Sequence, residues 1–494
     1  MMNPTLLVGI DIGTQGAKAV VIDDMGHVVS SADVSYSFES PQPGWCEQSP
    51  SLWWEAVIAC LHRLWKNGVD PADIRAVGAT GQMHSLVILD ERNQPIRPAI
   101  LWNDGRTLKE CGEIEEIIGA DRLFTTTRNP ILPGFTAPKL LWLKNNEPHQ
   151  YSRIKKVLMP KDYLVHELTG EFSADVTDAS GTCLLDVQKR EWAWDIIKDL
   201  GFSSEWFPPV SESQEVVGTI GETASRVTGL PIGIPVVAGA GDNAAAALGN
   251  GIITERKGSI SIGTSGTVFV PLNELPDLAR DQAGTLHLFC HCLPGMWHAM
   301  GTTLSAGMSL RWLRDTFEKE NYDDLLDGVE QVEAGADGLL FFPYLNGERS
   351  PLNNPRAKGV FFGLTYGHHR KSMARAVIEG VCYSLRDVLD MMEKAGIEVA
   401  DWTVTGGAIK NPIWTKVLAD VYQQHLQVHV EREGPAYGVS ILAGLGNGVW
   451  KAVTDLPMLD QVANRITCNR ENQHVYDAQF ARYQSIAQAM NPLF

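Results

Sequence analysis

Two apolar runs, each followed by a glycine-threonine turn and a second apolar run, constrain the fold of this chain more than any other feature. The first copy spans residues 6–22 and the second spans residues 259–270. Short apolar runs joined by glycine-rich turns predict β-hairpins. Because the copies lie about half a chain apart, they predict an internal duplication in which Ser261 stands opposite Asp11.

The length of the chain agrees with a duplicated fold. A chain of 494 residues is longer than one hydrophobic core normally serves, so two domains are expected. Strand patterns occur in both halves, and residues 374–392 show a clear helical pattern. We place the boundary within the strand-turn-helix pattern of residues 231–251, which gives domains 1–245 and 246–494.

The acidic composition restricts the binding partners. The chain has 41 Lys and Arg against 59 Asp and Glu, for a net charge of −18. This charge disfavours nucleic acid and anionic membrane surfaces. The eight cysteines follow no disulfide spacing, and the sequence contains neither a signal-peptide pattern nor an apolar run long enough to span a membrane. The expected compartment is the cytoplasm.

The two glycine-threonine turns are candidate phosphate sites. Backbone N–H groups of such turns can hold phosphate oxygens with no side chain in the way. The candidates for ATP binding are Gly13, Thr14, Gln15, Lys18, Gly263, Thr264 and Ser265. Asp11 is a candidate ligand of Mg²⁺ beside those phosphates. One such turn would be an ordinary hairpin, but two matching turns with an aspartate favour nucleotide binding, although the P-loop and dinucleotide glycine motifs are missing.

Asp242 lies in the segment Ala240-Gly241-Asp242-Asn243, directly before a run of alanines. An isolated aspartate before a helix is most often its N-cap. The alternative is a general base that takes the proton of a sugar hydroxyl while the hydroxyl oxygen attacks phosphorus. The helix end would keep such a carboxylate ionised. Phosphoryl transfer tolerates a base of low pKa because it depends mainly on positioning and charge neutralisation.

Polar residues also follow two other apolar strands. Met83 and His84 come after one strand, and Asn103 and Asp104 come after the next. Donors and acceptors at the carboxyl ends of strands suit a polyol ligand, so these residues, with Asn243, form the predicted sugar site. The alternative is that His84 has a purely structural role, with its ring nitrogens hydrogen-bonded within the protein.

The segment Cys290-His291-Cys292 invites a zinc interpretation. Its spacing differs from the usual paired ligand motifs, and no second cysteine pair follows. Buried strand residues are therefore the preferred interpretation.

Together, these motifs resemble the FGGY family of carbohydrate kinases over essentially the whole chain. The matching segments, in the family's order, are residues 11–14, 134–143, 240–243, 262–266, 343–349 and 405–408. Six ordered matches are far more specific than any one of them. The resemblance implies an α/β fold of two actin-like, hexokinase-type (ribonuclease H-like) ATPase domains, with ATP and a sugar in an interdomain cleft.

The resemblance also implies roles for individual residues. It makes Asp242 the catalytic base and Asp11 the residue for metal and phosphate. The other residues it assigns are Met83 and His84 for the sugar, and Gly406, Gly407 and Asn411 for the nucleotide. The segment at Gly406 has two glycines where three are frequent in the family. Residues 81–84, 98–106 and 159–164 are most similar to the xylulokinase branch, which implies D-xylulose as the acceptor; a homodimer is expected from this likeness alone.

Three alternatives remain open at the level of the sequence. A kinase of the same family could act on L-ribulose, a tetrulose, a deoxy-sugar or another polyol, since single pocket residues reverse such preferences. An actin-like or Hsp70-like ATPase would share both turns but would need neither Asp242 nor the cluster at Met83 and His84. A sugar-binding regulator would need neither phosphate turn.

Overall fold

In the computed structural model, residues 5–429, 434–456, 459 and 461–494 are described. Contacts divide the chain into two compact units. The first comprises Met1–Ile253, Leu288–Trp297 and Glu431–Asp460, and the second comprises Thr254–His287, His298–Val430 and Gln461–Phe494. A cut between residues 245 and 246 would divide a helix, Asp242–Gly249, because the alanines after Asp242 continue it. The contact division falls after Ile253 instead.

Strands and helices are interspersed along the whole chain. The strands are β1 (Leu6–Ile12), β2 (Gly16–Ile22), β3 (Val28–Ser35), β4 (Glu47–Gln48), β5 (Ile74–Gly81), β6 (Val87–Leu89), β7 (Ala99–Ile100), β8 (Lys156–Leu158), β9 (Ala174–Asp175), β10 (Leu185–Asp186), β11 (Glu191–Trp192), β12 (Val210–Ser211), β13 (Val216–Thr219), β14 (Pro235–Val237), β15 (Ala240–Gly241), β16 (Lys257–Ile262), β17 (Gly266–Leu272), β18 (His287–Cys290), β19 (Trp297–Thr303), β20 (Leu340–Phe342), β21 (Val360–Phe362), β22 (Asp401–Thr405), β23 (Leu426–His429) and β24 (Val462–Ile466). The α-helices are α1 (Pro50–Lys66), α2 (Leu108–Ile118), α3 (Ala120–Thr127), α4 (Thr136–Asn146), α5 (Pro148–Tyr151), α6 (Pro160–Thr169), α7 (Val176–Ser180), α8 (Trp194–Asp199), α9 (Glu222–Thr228), α10 (Asp242–Gly249), α11 (Arg280–Ala283), α12 (Gly307–Thr316), α13 (Tyr322–Leu326), α14 (Arg370–Lys394), α15 (Pro412–Tyr422), α16 (Pro435–Gly446) and α17 (Gln473–Met490). In the part of the chain that the structure describes, none of these helices is both long and apolar enough to cross a membrane.

The predicted duplication is visible in the two main sheets. The first has the order β13-β14-β5-β1-β2-β3, and the second contains the order β19-β17-β16-β22-β23-β24. In each, the glycine-threonine hairpin is antiparallel and its first strand pairs in parallel with a later strand. Asp11 pairs with Lys18 and Thr80, and Ser261 takes the corresponding place in the second sheet. The α/β fold and the opposition of Asp11 and Ser261 are confirmed.

Strand β1 is buried on both faces, so its alternate residues belong to different cores. Leu6, Val8 and Ile10 join the core formed with α1 and α6. Leu7 joins the core formed with α10 and α16. Since side chains alternate across a strand, both faces of β1 are apolar, and Asp11 is the charged residue in its sequence.

Glycines allow helix α16 to pack closely in the first unit. A Cβ on Gly438 would lie 1.8 Å from the carbonyl oxygen of Ala245 in α10, and a Cβ on Gly9 would lie 1.8 Å from the carbonyl oxygen of Ala436. Both obstacles are backbone atoms, which cannot rotate away. The start of α10, where Asp242 lies, is therefore fixed by a helix from far along the chain.

We expect Gly438→Ala to lower the free energy of unfolding by about 1–3 kcal/mol, the usual cost of overpacking. The added methyl must push α16 away from α10. Chemical denaturation at constant pH measures the loss. Gly448→Ala is unsuitable as a control because Gly448 has a positive φ, so we choose Gly112→Ala, where the structure leaves open space around the added methyl. An unchanged midpoint for Gly438→Ala would contradict the packing argument.

Candidate active site

Asp242 lies in the first turn of α10, and Gly241 before it is the N-cap residue. Asp242 is therefore the first residue inside the helix and not its N-cap; its Oδ1 accepts a hydrogen bond from Nδ2 of Asn243 at 2.9 Å. Burial raises the pKa of Asp242 to about 6, although hydrogen bonds from Asn243 lower it. The interpretation of Asp242 as a cap is therefore wrong. The low pKa expected for Asp242 is also not found, because burial outweighs the hydrogen bonds from Asn243.

Asp11 is the last residue but one of strand β1, in the same unit. Its Oδ1 is buried and has no hydrogen-bond partner among the described residues. Burial and the charge of Asp242 raise the pKa of Asp11 to about 7, and Lys18 opposes this rise. The structure thus brings together two carboxyl groups that repel each other when both are ionised.

Met83 and His84 follow strand β5, and Met83 contacts Gly241, the residue before Asp242. The side chain of Met83 packs so close to Gly241 that a Cβ there would lie 2.8 Å from the Met83 Cγ. His84 has a φ of 65°, which is uncommon for a residue other than glycine. Nδ1 of His84 lies 2.7 Å from the carbonyl oxygen of Gly181. A carbonyl only accepts, so Nδ1 carries the proton and Nε2 is the acceptor of the neutral ring.

The segment 134–143 holds His84 in this conformation. The hydroxyl of Thr136 and the ammonium group of Lys139 both donate to the carbonyl oxygen of His84, at 3.0 Å and 2.9 Å. The ring of Phe135 packs on the imidazole with 4.6 Å between ring centroids. Lys139 is fully buried, and burial holds its pKa well below the usual range.

Asn103 and Asp104 have different surroundings. Asn103 is exposed, whereas Asp104 is buried and both of its oxygens accept hydrogen bonds. Its Oδ2 accepts from the backbone N–H of Cys46 at 2.6 Å and from Arg106 at 2.7 Å. Its Oδ1 accepts from the backbone N–H and Nε of Arg106, both at 2.9 Å. Asp104 thus holds Arg106, which lies 3.6 Å from the ring centroid of Trp45.

The first glycine-threonine turn is tied to its surroundings. The N–H of Gly13 donates to the carbonyl oxygen of Gly16 at 2.9 Å. The hydroxyl of Thr14 accepts from Nε1 of Trp102 at 2.9 Å and donates to Oε1 of Gln82 at 3.1 Å. Because this hydroxyl already has two partners, phosphate recognition by Thr14 would fall to its backbone N–H. Gln15, at the tip of the turn, is exposed.

The second turn lines a cavity of about 660 Å³ in the second unit. Gly263, Thr264, Gly407 and Asn411 are among its lining residues. Backbone N–H groups at the start of α12 donate to the carbonyl oxygens of Gly263 and Thr264, which fixes the turn. Oδ1 of Asn411 caps α15, so its Nδ2 is the group that can donate to a ligand.

Gly406 has a φ of 87°, and a Cβ there would lie 2.5 Å from the carbonyl oxygen of Ile262. This position accepts only glycine without strain. The four predicted nucleotide residues of this unit that line the cavity thus surround space of a size that suits a small-molecule ligand.

A buried charged cluster lies behind Asp242. Its members, all fully buried, are Lys161, Asp162, Asp175 and Asp178. Nζ of Lys161 contacts Asp162 and lies 3.0 Å from Oδ1 of Asp175. Burial opposes the charge of Lys161, but the charges of Asp162, Asp175 and Asp178 outweigh it and keep the pKa of Lys161 above the usual range. Neither oxygen of Asp178 has a hydrogen-bond partner in the described residues. Burial, with the charges of Asp162, Asp175 and Asp242, raises the pKa of Asp178 well above its usual value.

Comparison with known proteins decides the family. Residues 6–249 match the N-terminal domain of the FGGY family of carbohydrate kinases, and residues 258–446 match its C-terminal domain. The chain belongs to the FGGY family of carbohydrate kinases. The predicted family and its two-domain α/β fold are confirmed.

Individual members of the family are similar to this chain over nearly their whole length. The xylulose kinase of Escherichia coli K12 is 38% identical over 99% of this chain and 98% of its own length. The gluconokinase of Bacillus subtilis is 30% identical over 91% of this chain and 90% of its own. The structure of a xylulose kinase from Rhodospirillum rubrum superposes with a TM-score of 0.91 at 28% identity, covering 99% of each chain.

The sequence did not reveal the charged cluster of this carbohydrate kinase as part of the site. Lys161 and Asp162 stood only in a segment that resembled the family, and Asp175 and Asp178 were not singled out. The available signal was a charged pair, Lys161-Asp162, inside the apolar stretch 157–165. Charged residues are almost never fully buried unless paired, so this pair pointed to a buried network.

The Cys290-His291-Cys292 segment is buried, as preferred. Sγ of Cys292 donates to the carbonyl oxygen of Ala244 at 3.4 Å, and the N–H of Cys290 donates to the hydroxyl of Ser180 at 3.1 Å. Burial lowers the pKa of His291 to about 4. The segment therefore packs under α10 of the kinase.

Proposed function

We propose that this carbohydrate kinase transfers the γ-phosphoryl group of MgATP to the terminal hydroxyl, O5, of D-xylulose, giving D-xylulose 5-phosphate and ADP. The observation that carries the proposal is the Asp242 carboxylate. It follows Gly241, which packs against Met83 of the predicted acceptor site, it is not at the N-cap position of its helix, and its pKa is raised to about 6. The near-full-length similarity to a xylulose kinase supports the choice of sugar.

Asp242 acts as the general base. At neutral pH a carboxyl group with a pKa of about 6 is mostly ionised and still accepts a proton better than an exposed aspartate does. The acceptor hydroxyl loses its proton to Asp242 as its oxygen bonds to phosphorus. The bond from phosphorus to the β–γ bridging oxygen breaks, ADP leaves with those electrons, and Asp242 later releases the proton to water.

The acceptor is held by the residues beside the base. Nε2 of His84 accepts from a sugar hydroxyl, because Nδ1 is committed to Gly181. Asn243 and the exposed Asn103 supply amide groups, and Met83 supplies an apolar wall. We assign Asp104 to positioning Arg106 instead, since both of its oxygens are already engaged.

Each turn is assigned to phosphate binding, through Gly13, Thr14 and Gln15 in the first unit and Gly263, Thr264 and Ser265 in the second. Lys18 contributes positive charge opposite Asp11. The adenine side of the nucleotide occupies the cavity lined by Gly407 and Asn411, and Gly406 keeps that loop against β16. Backbone N–H groups suit this task because they carry no charge of their own and need no side-chain ordering.

Asp11 fits a Mg²⁺ ion. It offers a buried oxygen without a hydrogen-bond partner among the described residues, and its ionisation is opposed by Asp242. Asp11 would hold such an ion, which would supply positive charge to neutralise the phosphates. The bound cation would also keep the Asp11 carboxylate ionised despite the nearby charge of Asp242.

We expect Asp11→Asn to raise the Mg²⁺ concentration for half-maximal activity by about 10- to 100-fold, because one charge-assisted contact of about 1.5–3 kcal/mol is lost. Without ligands, the variant should unfold at a higher temperature than wild type at pH 8. The pKa of Asp11 is about 7 in the folded protein, against 3.8 for an unperturbed aspartate. Ionisation of Asp11 therefore destabilises the folded state fully above pH 7 and not at all below pH 4. Thermal unfolding at pH 5 and pH 8 tests this pH dependence. A difference in Tm between the variant and wild type that is the same at both pH values would contradict it.

An ADP-coupled assay over ketoses, polyols and aldonates tests the function. D-xylulose should give the highest kcat/KM, and NMR of the product should show phosphate on O5. A preference for L-ribulose, a tetrulose or a deoxy-sugar would reject the sugar but keep the class. ADP release that does not depend on any sugar would indicate an ATPase of the actin or Hsp70 kind.

Gluconate is the second candidate acceptor. The gluconokinase of Bacillus subtilis is 30% identical over most of both chains, so family membership alone does not separate an aldonate from a ketose. A carboxylate on the substrate would require a cation or several N–H donors beside His84. The aldonate arm of the same assay decides between the two.

We further propose the cytoplasm as the compartment and a homodimer as the assembly. All eight cysteines are free thiols, which agrees with a reducing compartment. Light scattering at the assay concentration measures the assembly, and a monomer there would reject the dimer.

A further inference from the structure

One short segment contacts both the loop that carries the base and the histidine of the acceptor site. It comprises residues 175–181, that is, helix α7 with the residue on each side of it, and we call it the brace segment. All seven of its residues are buried. Its Thr177 end reaches the loop before Asp242, and its Gly181 end reaches His84.

At the first end, Thr177 holds the backbone directly before Asp242. The N–H of Gly241 donates to Oγ1 of Thr177 at 2.8 Å. Oγ1 of Thr177 in turn donates to Oδ2 of Asp175 at 2.6 Å. Since the carboxylate of Asp175 only accepts, the direction of the hydroxyl proton is fixed, and its lone pair is aimed at Gly241.

Asp175 is itself held from two sides. Its Oδ2 accepts from the hydroxyl of Ser213 at 2.9 Å, and its Oδ1 lies 3.0 Å from Nζ of Lys161. Lys161 also donates to the carbonyl oxygen of Ala238 at 3.0 Å. One buried charged network thus holds the segment between β14 and α10 at two backbone positions, the carbonyl of Ala238 and the N–H of Gly241.

At the second end, Gly181 holds the ring of His84. Its carbonyl oxygen accepts from Nδ1 of His84 at 2.7 Å. A Cβ on Gly181 would lie 2.5 Å from the same Nδ1, whereas the φ of Gly181 is −74°, which any residue adopts. An alanine at this position would therefore move the imidazole without straining the backbone.

We propose that the brace segment sets the distance between the general base and the acceptor histidine, with Thr177 and Gly181 as positioning residues. This inference rests on the proposed roles of Asp242 and His84. One end of this buried segment holds the backbone N–H of Gly241, directly before Asp242, and the other end holds the ring of His84. The positions of both are therefore set before a substrate binds. Preorganisation of this kind matters because a misplacement of about 1 Å can cost about 10²-fold in rate.

The first pair of variants tests the base end. Thr177→Val keeps the shape and removes the hydroxyl, and we expect kcat to fall about 10-fold or more with the KM for ATP unchanged. Thr177→Ser keeps the hydroxyl and should restore kcat to within about 3-fold. Thr228→Val is the matched control, because Thr228 is equally buried and its hydroxyl bonds the backbone of α9, away from Asp242.

The second pair tests the histidine end. Gly181→Ala should raise the KM for D-xylulose about 10-fold or more while the KM for ATP stays the same. Gly112→Ala, with open space around its added methyl, should change neither. If D-xylulose is not the acceptor found in the panel, the best acceptor of the panel replaces it in these measurements.

The outcomes separate this inference from the proposed function. Turnover in Asp242→Asn would reject the base itself, whereas an inactive Asp242→Asn beside a fully active Thr177→Val would reject only the brace segment. An equal loss in Thr177→Ser, or in Thr228→Val, would also overturn it, since both would indicate general destabilisation. If Thr177→Val does not fold, Gly181→Ala decides, and an unchanged KM for the sugar overturns the proposal.

Discussion

Replacing Asp242 with asparagine is expected to lower kcat by about 10²–10⁴-fold, the usual contribution of a positioned general base. Asparagine keeps the size of the side chain and its place in the first turn of α10, but it cannot accept the proton. Binding of ATP should stay close to wild type, because no nucleotide contact is assigned to Asp242. Steady-state ADP release and ATP titration by calorimetry measure the two effects separately.

The variant should also be at least as stable as wild type above pH 6. The folded Asp242 has a pKa of about 6 against 3.8, so its ionisation opposes folding, and asparagine removes this penalty. A loss of activity with retained stability cannot be attributed to unfolding. Asp199→Asn, at an exposed residue paired with Arg122, is the control. Turnover of Asp242→Asn within a few-fold of wild type would reject Asp242 as the base.

Replacing Lys161 with methionine is expected to lower the free energy of unfolding by about 3–5 kcal/mol at pH 8, the usual cost of leaving a buried ion pair without one partner. Methionine fills a similar volume but leaves Asp162 and Asp175 without their cation. Both aspartates are fully buried, so water cannot replace the lost charge. Denaturant titration gives the loss directly.

The loss should become smaller as the pH falls. Burial already raises the pKa of Asp162 to about 6, against the lowering effect of Lys161, and without the lysine it rises further. A carboxyl group with a raised folded pKa carries no penalty below its unfolded pKa of 3.8 and the full penalty above its folded pKa. The deficit of Lys161→Met at pH 5 should therefore be clearly smaller than at pH 8.

Lys189→Met is the matched control for the charge. Lys189 pairs with Asp186 at 2.8 Å but is largely exposed, and exposed pairs contribute about 0–1 kcal/mol. A deficit of Lys161→Met that is equally small, or that does not depend on pH, would contradict the buried network behind Asp242.

Much of the fold was predictable because its signals are local. The apolar runs around Asp11 and around Ser261 specified two hairpins, and their matching turns specified the duplication that the two sheets confirm. The alanines after Asp242 specified a helix, although the cut placed at 245 fell inside it. Strand period and turn chemistry are properties of neighbouring residues, which is why the sequence contains them.

The chemistry around Asp242 was predictable only in part. The sequence pointed to Asp11, Asp242, Met83 and His84, and the structure places all four in one unit. The sequence did not indicate that both carboxylate oxygens of Asp104 would accept hydrogen bonds from Arg106 and from the backbone of Cys46. Hydrogen-bond partners far apart in the chain are decided by packing, and one carboxylate in a sequence looks like another.

The paired glycine-threonine turns were therefore determined by the sequence alone, and with them the duplicated α/β fold and the family. Only the tertiary structure decided what surrounds Asp242. Burial raises its pKa to about 6, and Thr177 holds the backbone N–H before it. The physical reason is that a turn forms from contacts between neighbours, whereas the pKa of a carboxyl group depends on desolvation and charges brought to it by distant segments.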